Sequence, residues 1–378
     1  MKTKKKIILT MIYDIKLFPP VLSLCSILSD LNYEVIYIGS CSDDKILKEL
    51  SSFGVKIYKT NTYGGNGIKR FFQQLKYRKH VKNIIKKEYN KNNTYIWLLH
   101  TETASLFTNL LGQFNIIVHL LEFKNPREKI AYKILNPFSN INKRINLATK
   151  IVCCEYNRAH IAKAIYNLNS LPYILPNKPY IKEINNDYYL PIEIKNKIEK
   201  YVNKRIILYQ GIFIPERKLD DYINAMNYLS DDYVMFLMGN QNNLYYELKK
   251  KYESDRIIFL PFLSPPTHLE ITRRAYIGIL TYIPDEHTID QAINVLYCAP
   301  NKLYEYSMFG IPMIANDLPA LRFAFSQNKG GICVKEMEAK QIATAINELN
   351  KNYNIYSQAS YDLYNNVNML NIVKEIIR

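Results

Sequence analysis

The stretch from Tyr297 to Asp317 constrains the fold of this 378-residue chain more than any other part of the sequence. It reads YCAPNKLYEYSMFGIPMIAND. Pro300 suits a first helical turn because proline has no N–H to lose there, and Gly310 is a natural helix end. The apolar run from Ile311 to Ala315 is typical of a buried strand in a parallel sheet. The stretch therefore predicts a loop, a helix and a strand in that order.

The polar residues of this stretch point to a ligand. The loop before the helix offers free backbone N–H groups and the positive end of the helix dipole, and Asn301 and Lys302 open the first turn. Proteins hold phosphate groups in this way. Glu305 follows one turn later, where a carboxylate can accept hydrogen bonds from the vicinal hydroxyls of a ribose. The competing interpretation is an ordinary buried helix and strand with Glu305 on a solvated face.

The motifs PNKLYEY and SMFGIPMIAND, with GGICV downstream, resemble the nucleotide-sugar-binding segment of the GT-B glycosyltransferases, in particular the retaining family-four group. The resemblance implies that Glu305 binds the donor ribose. The family pattern places a further glutamate eight residues earlier, where this chain has Tyr297. That departure affects the usual contact to the donor sugar, so the sequence does not say which sugar is bound.

Length and composition set the general class. A chain of 378 residues exceeds the usual limit of one hydrophobic core, so two domains are expected. Mean hydropathy is −0.20, no apolar run approaches the roughly 18 residues that span a bilayer, and the opening basic segment is interpreted as a strand, not a signal peptide. The six cysteines show no metal-ligand spacing, which favours the cytosol. No metal or other cofactor is expected.

The positive charge lies in the first half of the chain. Residues 1–200 contain 32 Lys and Arg against 15 Asp and Glu, a net of +17, and residues 201–378 contain 18 against 19. The segments 68–91 and 124–150 hold much of this excess. Such a surface suits an anionic membrane or an acidic ligand, and nucleic acid is disfavoured because no RNA- or DNA-binding motif is present.

The first half alternates apolar strands and helices. The segment 68–91 is expected to form two helical pieces or a kinked helix, because its apolar residues do not share one face. A strand from Asn115 to Leu121 carries His119 and is followed by Glu122, at the sheet edge where α/β folds place function. His119 resembles the family-four histidine near the donor sugar, and we predict His119 and Glu122 as catalytic residues. A core histidine satisfied by the backbone is the alternative, and it is preferred for His100.

The second half of the chain also alternates apolar strands and helices. A strand from Arg205 to Gln210 ends at Gly211, and the following loop places Arg217 and Lys218 just before a helix. The resemblance implies that one of these two cations binds the donor pyrophosphate. It also places the nucleotide base against the loop that begins at Pro261 and Phe262. The segment IPDEHTIDQAIN, which holds Asp285, Glu286 and His287, is expected to be a loop that senses the sugar.

These elements predict an α/β protein of two doubly wound Rossmann-like domains facing a central cleft, the GT-B architecture. The expected boundaries are an acceptor-side domain at 1–178, a linker at 179–204 and a nucleotide-sugar-binding domain at 205–355. A terminal helix at 356–378 is expected to return to the first domain.

The predicted function is transfer of a sugar, with retention, from a UDP-sugar donor to a glycan or lipid-linked acceptor of a bacterial-type surface polysaccharide or glycoconjugate. The expected location is cytoplasmic, with peripheral attachment to the inner face of the membrane. Arg217, Lys218 and Lys302 would stabilise the leaving diphosphate without a metal, and no Asp-x-Asp triplet is present to hold one. A nucleotide-sugar epimerase and a non-catalytic GT-B partner subunit remain alternatives.

Overall fold

The computed structural model of the chain describes residues 4–61, 67–124, 141, 144–181, 189–284 and 288–378. Contacts divide the chain into two compact units. Unit 1 comprises residues 1–181 and 368–378, and unit 2 comprises residues 182–367. The last residues of the sequence therefore belong to the same unit as the first.

Unit 1 is built on a parallel sheet, and its described strands have the order β3-β2-β1-β4-β5-β6-β7. Their bounds are β1 (Lys6–Asp14), β2 (Glu34–Ser40), β3 (Lys56–Lys59), β4 (Thr94–Leu99), β5 (Ile116–Leu120), β6 (Lys150–Cys153) and β7 (Tyr173–Ile174). The central strands β1, β4 and β5 are buried along almost their whole length. Burial on both faces explains why these strands are nearly continuous apolar runs in the sequence.

The helices of unit 1 connect these parallel strands. They are α1 (Pro19–Asp30), α2 (Asp44–Ser52), α3 (Gly67–Glu88), α4 (Thr101–Leu106) and α5 (Tyr156–Ile165), together with a C-terminal helix given below. The expected break in the segment 68–91 is wrong, because α3 is one continuous helix. Its buried residues form a single stripe that begins at Gln74, and the earlier apolar side chains Ile68 and Phe72 are exposed. Counting those two as core residues produced the apparent second face.

Unit 2 also has a parallel sheet, with the order β10-β9-β8-β11-β12-β13. Its strands are β8 (Arg205–Gln210), β9 (Tyr233–Gly239), β10 (Ile257–Pro261), β11 (Ile277–Leu280), β12 (Met313–Asn316) and β13 (Gly331–Val334). Gly278 of β11 lies under the ring of Tyr306, where an added Cβ would come within 2.5 Å of a ring carbon. The glycine therefore lets this aromatic ring pack directly on the sheet.

The helices of unit 2 are α6 (Ile192–Glu199), α7 (Leu219–Ala225), α8 (Asn243–Tyr252), α9 (Leu269–Thr272), α10 (Ile289–Leu296), α11 (Asn301–Ser307), α12 (Pro319–Asn328), α13 (Ala339–Lys351) and α14 (Tyr353–Asn365). Part of the expected sugar-sensing loop is helical, since α10 begins at Ile289 with Thr288 as its N-cap. Residues 285–287, which that prediction also named, lie outside the described residues.

The C-terminal segment differs from the single helix expected from residue 356. It forms α14 and a separate helix α15 (Met369–Ile376), which the side chain of Asn368 caps. Only the second piece belongs to unit 1, where it contacts α1 and buries Val373 and Ile376 completely. Asn368 is a common N-cap residue, and it marks the start of the new helix α15 after α14 ends.

The segment 179–204, expected as a linker, contributes to the core of unit 2. Helix α6 buries Ile194 and Ile198 in the same apolar cluster as Phe236 of β9. Both units are parallel α/β structures, so the predicted class of two doubly wound Rossmann-like domains is confirmed. Among the described residues, no helix has the length and apolar character needed to cross a membrane.

Candidate functional site

The carboxyl end of β8 begins the site in unit 2. Gly211 follows the strand directly, and a Cβ at this position would lie 2.9 Å from Nζ of Lys302. A side chain at residue 211 would therefore displace the Lys302 ammonium. The closeness of Gly211 and Lys302 brings two of the sequence-predicted donor-binding positions together, although 91 positions separate them in the numbering.

Two cations lie over one aromatic ring beside Gly211. The guanidinium carbon of Arg217 is 4.1 Å from the ring centroid of Tyr282, and Nζ of Lys302 is 5.1 Å from the same centroid. Lys302 is also 5.0 Å from the ring of Tyr209. Aromatic faces attract cations electrostatically, so these rings offset part of the cost of keeping the two charges together.

Backbone hydrogen bonds fix Arg217 in this position. Its Nη1 donates to the carbonyl oxygen of Thr281 at 2.9 Å, and the Thr281 hydroxyl donates to the Arg217 carbonyl at 2.9 Å. The Nε group of Arg217 is buried with no hydrogen-bond partner in the described part of the chain. Because unpartnered buried donors are rare, this arrangement suits a site that receives an acceptor from a ligand.

Asn316 holds the shared aromatic ring in place. It ends β12, and its side-chain amide makes two hydrogen bonds to the backbone of Tyr282, each 2.9 Å long. Tyr282 itself lies just beyond β11, the neighbouring strand. The site therefore depends on the adjacent ends of parallel strands, the edge where such sheets generally bind ligands.

Glu305 of α11 is buried and engaged at both carboxylate oxygens. Oε2 accepts a hydrogen bond of 2.6 Å from Nε2 of Gln210, and Oε1 lies 3.4 Å from Nε2 of His268. Burial alone would raise the pKa of Glu305, but His268, Lys302 and the Gln210 hydrogen bond outweigh it and lower that pKa. The side chain is therefore a carboxylate at neutral pH.

Desolvation has the opposite consequence for Lys302, which is partly exposed. It lowers the pKa of the ammonium to about 7, and the charge of Arg217 adds to the lowering while Glu305 opposes it. A buried cation loses hydration that it had in water, and a neighbouring cation raises the cost further. An incoming anion would relieve both effects.

The remaining predicted positions of unit 2 lie around this cluster. Lys218 is exposed and has a left-handed backbone, with φ of 41°, a conformation that glycine adopts most easily. Pro261 ends β10, and Phe262 after it is 61% exposed. Tyr297 follows α10 and Asn301 begins α11, and both are partly exposed. The base, sugar and phosphate contacts proposed for these residues stay predictions.

His119 of unit 1, one of the two predicted catalytic residues, is buried near the end of β5. It is 3% exposed, its Nε2 lies 3.7 Å from Sγ of Cys154, and its Nδ1 is buried with no partner in the described residues. Burial, with a contribution from His100, lowers its pKa to about 3. His119 is therefore a neutral, buried residue near the carboxyl end of β5, and its catalytic role stays a prediction.

Glu122, the second predicted catalytic residue, lies beyond the end of β5 with its side chain 61% exposed. Nε2 of His100 is 3.5 Å from its Oε2, and this contact lowers the pKa of Glu122. His100 is buried, and its Nδ1 accepts a hydrogen bond from the backbone N–H of Glu102 at the start of α4. Nδ1 therefore has no hydrogen, and Nε2 donates towards Glu122.

Several residues that shape the site were not predicted from the sequence. Tyr209 and Tyr282 provide the rings under the cations, and Gln210, His268 and Thr272 surround Glu305. Gln210 carried a usable signal, since it is a polar residue at the end of an apolar strand. His268 and Thr272 are four residues apart, which places them on one side of a helix. No group of three potential metal ligands occurs among the residues that the structure describes.

Solved structures of similar architecture extend over almost the whole chain. A glycosyltransferase from Rickettsia africae ESF-5 is 16% identical with a TM-score of 0.70, covering 99% of this chain and 97% of that one. HepE from Anabaena, solved with UDP-glucose, is 13% identical with a TM-score of 0.69, covering 99% and 98%. A putative UDP-N-acetylglucosamine 2-epimerase from Listeria monocytogenes is 11% identical with a TM-score of 0.64, covering 99% and 95%.

At these identities the likeness shows the fold, which is that of the GT-B class. No curated protein matches the sequence. Residues 192–365 match the family model described as glycosyl transferases group 1. The chain therefore has the GT-B fold, and the segment that matches the family model lies within unit 2, which holds the cluster of Arg217, Lys302 and Glu305.

Lys302→Met should increase the stability of the ligand-free protein at pH 7. Below pH 7 the folded chain bears the full cost of burying the charged amine. Above pH 7 the amine of the folded chain is already neutral. As pH rises further towards the ordinary lysine pKa of about 10.4, the amine of the unfolded chain also loses its proton, so the cost of burying the charge disappears. Urea unfolding from pH 6 to pH 10 should show a gain for Lys302→Met that shrinks as pH rises.

The matched control is Lys340→Met, which replaces an exposed lysine of α13. It should leave the pH dependence of the unfolding free energy as in the parent. A Lys302→Met variant that is less stable than the parent at pH 7, or whose gain grows with pH, contradicts the assignment of Lys302 as a desolvated and destabilised cation.

Proposed function

We propose that the chain transfers a sugar from a UDP-sugar to a glycan or lipid-linked acceptor, with retention, in the synthesis of a bacterial-type surface polysaccharide or glycoconjugate. The observation that supports this proposal most is the pair of cations over Tyr282 beside the ionised Glu305. A nucleoside diphosphate combines the two matching groups, an anionic diphosphate and a ribose with vicinal hydroxyls. The UDP in the HepE structures is consistent with that choice.

In the proposed reaction the bond between the sugar and the diphosphate breaks, and the developing negative charge stays on the departing UDP. Arg217 and Lys302 lie ready to stabilise that charge, which is the preorganised electrostatic effect that accelerates such steps. Of the two cations, Lys302 is stabilised most by the diphosphate, because the anion favours its protonated form over the neutral amine. Glu305 holds the ribose and so fixes the diphosphate relative to the two cations.

Two alternatives use the same fold. An epimerase would change the sugar of the donor without an acceptor, and the likeness to the Listeria epimerase keeps this possibility open. A non-catalytic partner subunit is suggested by Tyr297 in place of the family glutamate. Incubation of the chain with UDP-glucose and UDP-N-acetylglucosamine, followed by chromatography of the nucleotide sugars, separates the epimerase from the transferase, because only an epimerase yields a nucleotide sugar of changed configuration.

Glu305→Ala should weaken UDP binding by at least roughly 1.5–3 kcal/mol, the usual range for the loss of one hydrogen bond to a charged group. Isothermal titration calorimetry measures this directly. Glu247→Ala, at an exposed position of α8, is the control and should bind UDP like the parent. If Glu305→Ala binds UDP as tightly as the parent, the assignment of this site to the donor fails.

The transfer is proposed to need no metal ion, since Arg217 and Lys302 supply positive charge where a divalent ion would otherwise act. Release of UDP from the donor, measured with a coupled assay, should be unchanged by EDTA. Arg217→Met should slow it by about 10²-fold or more, the usual result of removing one preorganised charge-stabilising group. Loss of activity in chelator, with recovery on adding Mg²⁺ or Mn²⁺, would overturn this part of the proposal.

We further propose that the exposed face of α3 attaches the protein to an anionic membrane. At 100° per residue, the exposed residues of α3 from Ile68 to Lys87 fall within about 120° of the helix circumference. This basic face of α3 consists of Ile68, Lys69, Phe72, Lys76, Lys79, His80, Asn83, Lys86 and Lys87. Ile68 is 68% exposed and Phe72 is 62% exposed, so apolar side chains accompany the lysines at one end.

Within the described part of the chain, no acidic side chain forms an ion pair with a lysine of this face. Glu88, the last residue of α3, forms ion pairs with Lys6 and Lys56 at 3.2 and 2.8 Å. These contacts, with the Tyr58 hydroxyl, lower the pKa of Glu88 to about 2. Most of the second basic segment, 124–150, lies outside the described residues.

Flotation with vesicles that contain anionic phospholipid tests the attachment. The chain should float at low salt and stay behind at about 0.5 M salt, where the screening length shrinks to a few Å. Replacing Lys76, Lys79 and Lys86 together with Gln should reduce binding on the order of 100-fold, at about 1 kcal/mol per lysine. The same change at Lys329, Lys335 and Lys340 of unit 2 is the control. Absence of flotation at every salt concentration refutes the attachment and favours a soluble glycan acceptor.

A further inference from the structure

The carboxylate of Glu305 is held by a chain of buried polar groups that the proposed function does not require. Nε2 of Gln210 donates to Oε2 of Glu305 at 2.6 Å, and the hydroxyl of Thr272 donates to Oε1 of Gln210 at 2.7 Å. Gln210 is 4% exposed and Thr272 is fully buried. The chain joins β8, α9 and α11, which are far apart in the sequence.

The direction of each hydrogen bond follows from chemistry. An ionised carboxylate only accepts, so the amide nitrogen of Gln210 must face Glu305. The amide oxygen of Gln210 then faces Thr272, and the single hydroxyl hydrogen of Thr272 must be donated to it. The Thr272 hydroxyl also lies 3.1 Å from the carbonyl oxygen of His268, but it cannot donate to both acceptors fully. The threonine therefore decides which way the glutamine amide points.

The other carboxylate oxygen has a separate partner. Oε1 of Glu305 lies 3.4 Å from Nε2 of His268, the residue that precedes α9. A carboxylate offers about four lone-pair positions, and these two contacts use one on each oxygen. One acceptor position on each oxygen remains, which matches a ligand with two neighbouring hydroxyl groups.

We propose that Thr272 and Gln210 are positioning residues that hold Glu305 so that each oxygen accepts one of the two ribose hydroxyls, making the site selective for ribonucleotides over 2′-deoxyribonucleotides. This inference rests on the proposed function, because it assumes that Glu305 faces the donor ribose. Without the Thr272 hydroxyl, the Gln210 amide is free to rotate and the carboxylate loses its fixed plane. The low pKa of Glu305 agrees with this arrangement, since it keeps the acceptor ionised.

A merely structural role for Thr272 would affect folding and the binding of all nucleotides equally. A positioning role changes the ratio of two affinities that differ only by one hydroxyl group of the ligand. Sites built to bind a hydroxyl group reject the analogue that lacks it, because their buried polar groups are then left unpaired. The ratio of the dissociation constants of 2′-deoxy-UDP and UDP is therefore the informative quantity.

The experiment measures that ratio by calorimetry for the full chain and for Thr272→Val, which removes the hydroxyl at nearly constant volume. The parent should prefer UDP by about tenfold or more, as expected for one hydrogen bond to a charged group. Thr272→Val should reduce the preference to within about threefold, and Thr272→Ser, which keeps a hydroxyl, should restore it. Thr344→Val, at an exposed position of α13, is the control for the substitution itself.

If Thr272→Val does not fold, Gln210→Met provides the same test, since it preserves length and removes both hydrogen bonds. A Thr272→Val or Gln210→Met variant that keeps the parent's ratio overturns the inference and leaves the proposed function intact. A parent chain that binds UDP and 2′-deoxy-UDP equally also overturns it. A parent chain that binds neither nucleotide overturns the proposed function, and this inference with it.

Discussion

The association of two like charges over the ring of Tyr282 is the constraint on which the site of unit 2 depends. At a given separation, repulsion between cations grows as the surroundings become less polar than water, so Arg217 and Lys302 would separate without support. The support comes from adjacent strand ends. Thr281 fixes Arg217 after β11, Asn316 fixes the backbone of Tyr282 after β12, and Gly211 leaves room for the lysine after β8. The ends of the parallel strands therefore keep Arg217 and Lys302 close together although their charges repel each other.

The fold was predictable because it follows from local patterns. Buried parallel strands are apolar runs, and glycine and proline mark the ends of helices, so the α/β class and most element positions could be predicted from single segments. The exceptions concern exposure. Ile68 and Phe72 are apolar but exposed, and His119 is polar but buried. A pattern of apolar and polar residues does not show which other elements pack against a side chain, so it does not determine burial.

The charged residues of the site were predictable for a different reason. Arg217, Lys302 and Glu305 lie in short motifs whose chemistry is evident from neighbours in the sequence. Their supporting residues are not in those motifs. Gln210 is 95 positions from Glu305 and 62 from Thr272, so only the folded chain shows that the three form one series of hydrogen bonds. The sequence motifs therefore indicated the charged groups that contact a ligand. The groups that orient those charges are brought together only by the fold.

Unit 1 is discontinuous in the sequence, and this affects the order in which the chain can fold during synthesis. Helix α15 packs on α1 with Val373 and Ile376 fully buried, so the core of unit 1 stays incomplete until residues 368–378 have left the ribosome. Domains usually fold as units in the order in which they are made. Here unit 2 is complete in sequence first, although it begins second. The apolar surface of α1 that awaits α15 is therefore uncovered throughout the synthesis of unit 2, a period in which the nascent chain depends on chaperones or on its own solubility.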